Sequence, residues 1–141
     1  MFEGWFRACL ARFSVTRRLG ERGELRAAQF LQSQGFRILA SGSRDRLGEI
    51  DLVALDGRTV VFVEVKTRRS HDRGHPADAV DFEKQRRLSR LALAWLKGRG
   101  LLEVSCRFDV VAILWPSNTE PPRIDHYRGA FESQGPHTMF G

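Results

Sequence analysis

Residues 48–69 read GEIDLVALDGRTVVFVEVKTRR, and this stretch decides the fold. It holds two apolar runs, 49–55 and 59–67, separated by Asp56-Gly57, a strong hairpin signal. Near-continuous Val, Ile, Leu and Phe implies central strands covered on both faces. Yet Asp51, Glu64 and Lys66 stand inside these runs. Charge is costly to bury unless it is paired or binds a metal. Glu64 and Lys66 lie two residues apart and so share one face of a strand. An even hairpin loop also brings Asp51 to that face, opposite or diagonal to Glu64. An odd loop would separate them.

The rest of the chain surrounds this hairpin with helices. Glu24, Ala27, Ala28 and Leu31 recur at helical spacing, which predicts a helix over 20–34 ended by Gly35. Glu24 heads its inward stripe. A short strand is expected at 36–40 and a polar loop at 41–47. A loop at 68–77 carries His71 and His75, read as solvated rather than as metal ligands. A long helix begins near Asp78 or Asp81 and ends at Lys97. Its inward stripe is Lys84, Leu88, Leu91 and Trp95, flanked by Gln85, Ala92 and Leu96. A buried strand at 104–114, a Pro-containing connector at 115–122 and an edge strand at 123–127 complete the order. Asp109 reads as structural, held by an Arg or a backbone donor. The pattern is an α/β arrangement, one central mixed sheet flanked by helices, in a single domain over 20–131. A basic lead-in covers 1–19 and a loose tail 132–141.

Composition narrows the function. The 141 residues suffice for one domain with a core. No apolar run approaches a membrane span. Glu3, Arg7 and Arg12 interrupt any signal-peptide core, so Cys9 and Cys106 are expected as free thiols in a reducing cytoplasm. The formal net charge is +6 and the sequence pI about 10.3. Only Lys66, Lys84 and Lys97 are lysines, so 20 of the 23 basic residues are Arg, the side chain suited to bidentate phosphate contact. A polyanionic partner, nucleic acid above all, is expected. Arg44, Arg46, Arg68, Arg69 and Arg73 on the loops, with Arg86, Arg87 and Arg90 on the second helix, would meet its phosphates.

The charged hairpin suggests the chemistry. Two neighbouring carboxylates repel unless a cation intervenes. Mg²⁺ suits hard oxygen ligands and keeps its own waters, and the Val65 carbonyl could add a ligand. Lys66 could orient or help deprotonate the attacking water, or stabilise charge on phosphate. Glu24 and the Lys84/Gln85 pair stand in the first turns of two helices, facing inward.

GERGELRAAQFL, GEIDLVALD, VFVEVKTR, AVDFEKQRRLSRLALAWL and RFDVVAI resemble the YraN-type family (UPF0102) of small bacterial proteins, over about 20–131. That family is similar to the PD-(D/E)xK nucleases, especially archaeal Holliday-junction resolvases. The resemblance implies a restriction-endonuclease-like fold and Mg²⁺-dependent cleavage of DNA phosphodiesters, branched DNA included, with Mn²⁺ able to substitute. It implies metal on Asp51, Glu64 and the Val65 carbonyl, with Lys66 as the motif lysine. Glu24 matches the first-helix acid, and Lys84 or Gln85 the second-helix polar residue. The motif's proline is absent, since Ile50 precedes Asp51. A symmetric homodimer follows by analogy only. The alternative is a DNA-processing protein that binds nucleic acid without turnover.

Overall fold

The computed structural model describes residues 19–46, 48–70 and 80–133. The basic lead-in, Arg73, the His71/His75 pair and most of the tail lie outside these residues.

Helix α1 spans Leu19–Ser33 and buries Gly23, Ala27, Ala28 and Leu31. It stops where Gly35 takes a φ of +93°, a conformation that costs glycine little. There the Phe36 N–H donates to the Leu31 carbonyl and the Gly35 N–H to that of Gln32, so the last turn's carbonyls are satisfied. Five strands follow: β1 Arg37–Asp45, β2 Gly48–Asp56, β3 Thr59–Arg68, β4 Cys106–Leu114 and β5 Arg123–Phe131. Helix α2, Phe82–Gly98, joins β3 to β4. Its N-cap is Asp81, whose carboxylate accepts the Lys84 N–H at 2.9 Å.

The strands lie in sequence order. β3 and β4 are parallel, as a helical crossover requires, and the other neighbours are antiparallel. The sheet is therefore mixed, with a helix on each face, consistent with a restriction-endonuclease-like α/β fold. On one face Leu88, Leu91, Ala92, Trp95 and Leu96 of α2 pack on Val53, Val60, Phe62, Phe108 and Val110. On the other, Ala27, Ala28 and Leu31 of α1 pack on Leu52, Ala54, Val61, Val63, Val111 and Ile113. No helix among the described residues is long and apolar enough to cross a membrane.

One expectation is corrected. The segment 41–47 is not a polar loop: β1 runs on to Asp45, with Ser43 opposite Ile50 and Arg44 opposite Glu49. Its small polar residues mask a strand because cross-strand pairing, not intrinsic propensity, stabilises it. The β5 strand likewise extends to Phe131, past the expected end at Tyr127.

Asp109 is fully buried, and its oxygens accept from the Arg107 guanidinium (3.0 and 3.2 Å) and the Gly129 N–H (3.0 Å). His126 Nε2 lies 2.8 Å away. Burial alone would raise this carboxyl's pKa; the bonds from His126, Arg107 and Gly129 outweigh it and hold the pKa below the usual value. This expected structural aspartate ties β5 to β4.

Two stability outcomes follow. At Gly23 a Cβ would fall 1.7 Å from Thr67 Oγ1 and 2.8 Å from Thr67 Cβ. Gly23→Ala gains about 1 kcal/mol of helix propensity but costs about 3 kcal/mol in overpacking, so urea titration should show net destabilisation. A more stable variant would mean that α1 does not sit this close to β3. Asp109→Ala should cost roughly 3–5 kcal/mol at neutral pH by removing the buried acceptor shared by Arg107, His126 and the Gly129 N–H. Because the folded pKa is depressed, that contribution is present above about pH 4 and fades as pH falls further. A variant equally destabilised at about pH 3 would contradict the role.

Candidate metal and phosphoryl-transfer site

The β2–β3 ladder runs from Asp56↔Thr59 through Leu55↔Val60 to Leu52↔Val63. This is the even register, which carries Asp51 towards Glu64. Beyond the last rung, the Val65 N–H donates to an Asp51 carboxylate oxygen at 2.9 Å. Side-chain alternation breaks at the same point: Ile50 packs in the α2-side core and Leu52 in the α1-side core, although they share parity. Asp51 thus occupies the split between β2 and β3, reached from both faces.

From the α1 face comes Glu24, whose carboxyl hydrogen-bonds to Asp51. The absence of a side chain at Gly23 is what lets this turn of helix press on Thr67 of β3. From the α2 face comes Glu64, also hydrogen-bonded to Asp51 and only 7% exposed. The Glu64 Oε1 atom is contacted by Lys66 Nζ at 3.2 Å and, more closely, by Lys84 Nζ of α2. The structure thereby brings together Glu24, Asp51, Glu64, Lys66 and Lys84. The Gln85 amide donates to the Val80 carbonyl at 2.9 Å. Of the Lys84/Gln85 pair, then, Lys84 is the one seen reaching the carboxylates.

The electrostatics are those of an acid cluster short of positive charge. Burial, then the charges of Glu64 and Glu24, push the Asp51 carboxyl up to about 9. Burial lifts Glu24 to about 7, with Glu49 and Glu64 adding to the effect against the bond from Asp51. Burial also lowers Lys66, and Lys84 beside it reinforces this. For Lys84, burial works downward, but bonds to Glu64 and Lys66 outweigh it and raise the ammonium's pKa.

A hard divalent cation fits this donor set. Carboxylates that hold protons to such a pH are sites that a cation would relieve. In a strand the N–H and C=O of one residue point the same way. The Val65 carbonyl therefore opens on the side where its N–H meets Asp51, past the end of the ladder. Among the described residues no three His, Cys, Asp or Glu side chains form a ready cage for a metal. Mg²⁺ does not need one: one or two carboxylates, waters and a substrate oxygen suffice.

Several arginines stand on the elements that carry the cluster. Arg86, Arg87 and Arg90 are exposed on α2, and Arg46 is exposed at the β1–β2 turn. A Cβ on Gly48 would lie 3.5 Å from Arg87 Cδ, so α2 rests on that hairpin. Arg44 is bound to Glu49 at 2.9 Å. Arg68 is half-buried at the end of β3. Arg69 donates to the Trp115 carbonyl (3.0 Å) and to Asn118 Oδ1 (3.0 Å). Sequence reasoning missed that Arg22 also reaches Asn118, at 2.9 Å. The residues lie 96 positions apart, and no local spacing signals the contact.

The sign of the pH dependence is fixed by these shifts. Asp51 and Glu24 have folded pKa values above the unfolded carboxyl range of about 4. In metal-free protein their favourable contribution is complete below about pH 4 and is lost as pH rises through about 7 and then about 9. Asp51→Asn should be more stable than the parent by roughly 1–4 kcal/mol at alkaline pH and nearly equal at about pH 4, by urea titration. A variant less stable than the parent at alkaline pH would show instead that the ionised Asp51 supports folding.

A model of the Uncharacterised protein family UPF0102 matches residues 23–113. The chain is 49% identical over 126 residues to UPF0102 protein RB9115 of Rhodopirellula baltica, covering 87% of this chain and 75% of that one. It is 52% identical over 114 residues to UPF0102 protein GSU0650 of Geobacter sulfurreducens, covering 81% and 88%. It is 54% identical over 99 residues to UPF0102 protein STH1475 of Symbiobacterium thermophilum, covering 70% and 84%. The matched span takes in Glu24, Asp51, Glu64, Lys66 and Lys84, and the chain belongs to the UPF0102 family.

Proposed function

We propose that the protein is a metal-dependent endonuclease of PD-(D/E)xK type that hydrolyses DNA phosphodiesters. The observation that carries this reading is Asp51 in the β2–β3 split, flanked by Glu24 and Glu64, with two lysine ammonium groups on Glu64. A packing core has no use for three linked carboxyls, two of which, Asp51 and Glu24, are pushed above the usual carboxylate range by burial and neighbouring charge. The basic composition and the exposed Arg86, Arg87 and Arg90, on the same helix as Lys84, support a polyanionic substrate.

Each residue has a separable task. Asp51, Glu64 and the Val65 carbonyl would hold Mg²⁺, or Mn²⁺ in its place, which would supply charge neutralisation on the phosphate and a nucleophilic water at neutral pH. Glu24, with a pKa near 7, is matched to accept a proton close to neutrality. Lys66 and Lys84 neutralise Glu64 in the resting protein. Their N–H donors suit the negative charge that develops on a phosphoryl group. Lys84 arrives on the first turn of α2, pinned by the Asp81 cap, so its ammonium is positioned before substrate binds.

Purified protein with Mg²⁺ or Mn²⁺ should cut at least one of linear, nicked or four-way DNA. Asp51→Ala and Glu64→Ala should abolish cutting, and Lys66→Ala should slow it on the order of 10²-fold or more. Equal cutting by Asp51→Ala would assign the activity to a contaminant. Salt-sensitive binding with no cutting of any substrate would leave the second reading, a nucleic-acid-binding protein without turnover.

A further inference from the structure

Arg22 and Arg69 make an arrangement on the α1 side of the sheet that the proposed chemistry does not use. Arg22 sits in the first turn of α1, and Arg69 follows the end of β3. Both guanidinium groups donate to one atom, Asn118 Oδ1, at 2.9 and 3.0 Å. With donors on both sides, the amide must present its oxygen inward. The Arg22 guanidinium also lies 4.4 Å from the centre of the Trp115 ring, and Arg69 donates to the Trp115 carbonyl at 3.0 Å. Trp115 and Asn118 belong to the connector after β4, which is hydrogen-bonded to β3 through the Trp115 N–H and the Arg68 carbonyl at 2.8 Å.

Two like charges repel, and convergence on a neutral amide does nothing to neutralise them. Among the described residues neither guanidinium is ion-paired with a carboxylate. Arg107, by contrast, is matched to Asp109 and Asp56. Arg69 and Asn118 are exposed, so a polyanion can reach them. Both guanidinium planes are already fixed, by the indole face, the carbonyl and the amide, which lowers the entropy cost of binding.

We propose that Arg22, Arg69 and Asn118 form a clamp for a backbone phosphate of the nucleic-acid strand, on the face of the sheet opposite Arg86, Arg87 and Arg90. The inference rests on the nucleic-acid reading given above. Arg69 is three residues beyond Lys66 along the strand direction, about 10 Å away. The clamp and the α2 arginines then hold the strand on both sides of the Glu24–Asp51–Glu64 cluster.

The decisive variant is Asn118→Asp, which places a carboxylate between the two guanidinium groups. A purely structural cluster would be strengthened by it, whereas a phosphate clamp would be neutralised. Binding of fluorescently labelled duplex and single-stranded oligonucleotides is followed by anisotropy in EDTA across a salt series, with melting measured in parallel. The expected result for Asn118→Asp is a melting midpoint equal to or above wild type and affinity lowered roughly tenfold. The slope of log affinity against log salt should be shallower by about one. Arg69→Gln should weaken binding in the same direction, and serves if the first variant does not fold. Wild type that binds while both variants match it in affinity and slope would overturn the clamp and leave the nuclease reading standing. Saturable binding of inorganic phosphate at this cluster, without an effect on oligonucleotide affinity, would overturn the backbone assignment. Wild type that binds no oligonucleotide at low salt would overturn the nucleic-acid reading itself, and the clamp with it.

Discussion

The structure turns on one hydrogen bond, from the Val65 N–H to the Asp51 carboxylate. It stands where the β2–β3 ladder ends, and it substitutes a side chain for the next backbone rung. A buried backbone donor must be satisfied, so Asp51 is fixed in the split between the strands as firmly as a main-chain partner would be. That placement exposes its carboxyl to both faces of the sheet at once. Glu24 can then approach from α1 and Glu64 from the α2 side, although an ordinary strand would show each side chain to one face only.

The two helices serve this split in different ways. α1 needs close approach, and Gly23 against Thr67 provides it. α2 needs a fixed starting point, and the Asp81 cap sets the turn that carries Lys84. Each helix also buries an apolar stripe, and these stripes rather than the site supply the folding free energy. The core can therefore tolerate an electrostatically unfavourable cluster at one end of the sheet. Carboxyls held this close, with pKa values near 7 and 9, form a cluster that a divalent cation would relieve.

Much of this was legible in the sequence, for reasons that can be named. The apolar runs on either side of Asp56-Gly57 set both strands, while the choice between an even and an odd loop was made by the β2–β3 pairing itself. The helical spacing of Ala27, Ala28 and Leu31, and of Leu88, Leu91 and Trp95, set the inward faces and with them Glu24 and Lys84. What was not legible depends on pairing across distance. β1 reads as loop after Ala40 because SGSRD carries no apolar pattern; only β2 beside it makes it a strand. The break in alternation at Asp51 has no local signature either. The same holds for Arg22 and Asn118, brought together by the connector after β4, and for His126 beside Asp109.

The central claim is that Asp51, Glu64 and the Val65 carbonyl together hold a divalent cation in the strand split. Anomalous diffraction from crystals soaked in Mn²⁺ near neutral pH addresses it directly. The expected result is a single strong anomalous peak bounded by those three groups, lost in Asp51→Asn crystals. A map with no peak there, with Glu64 still engaged by Lys66 and Lys84, would contradict the account.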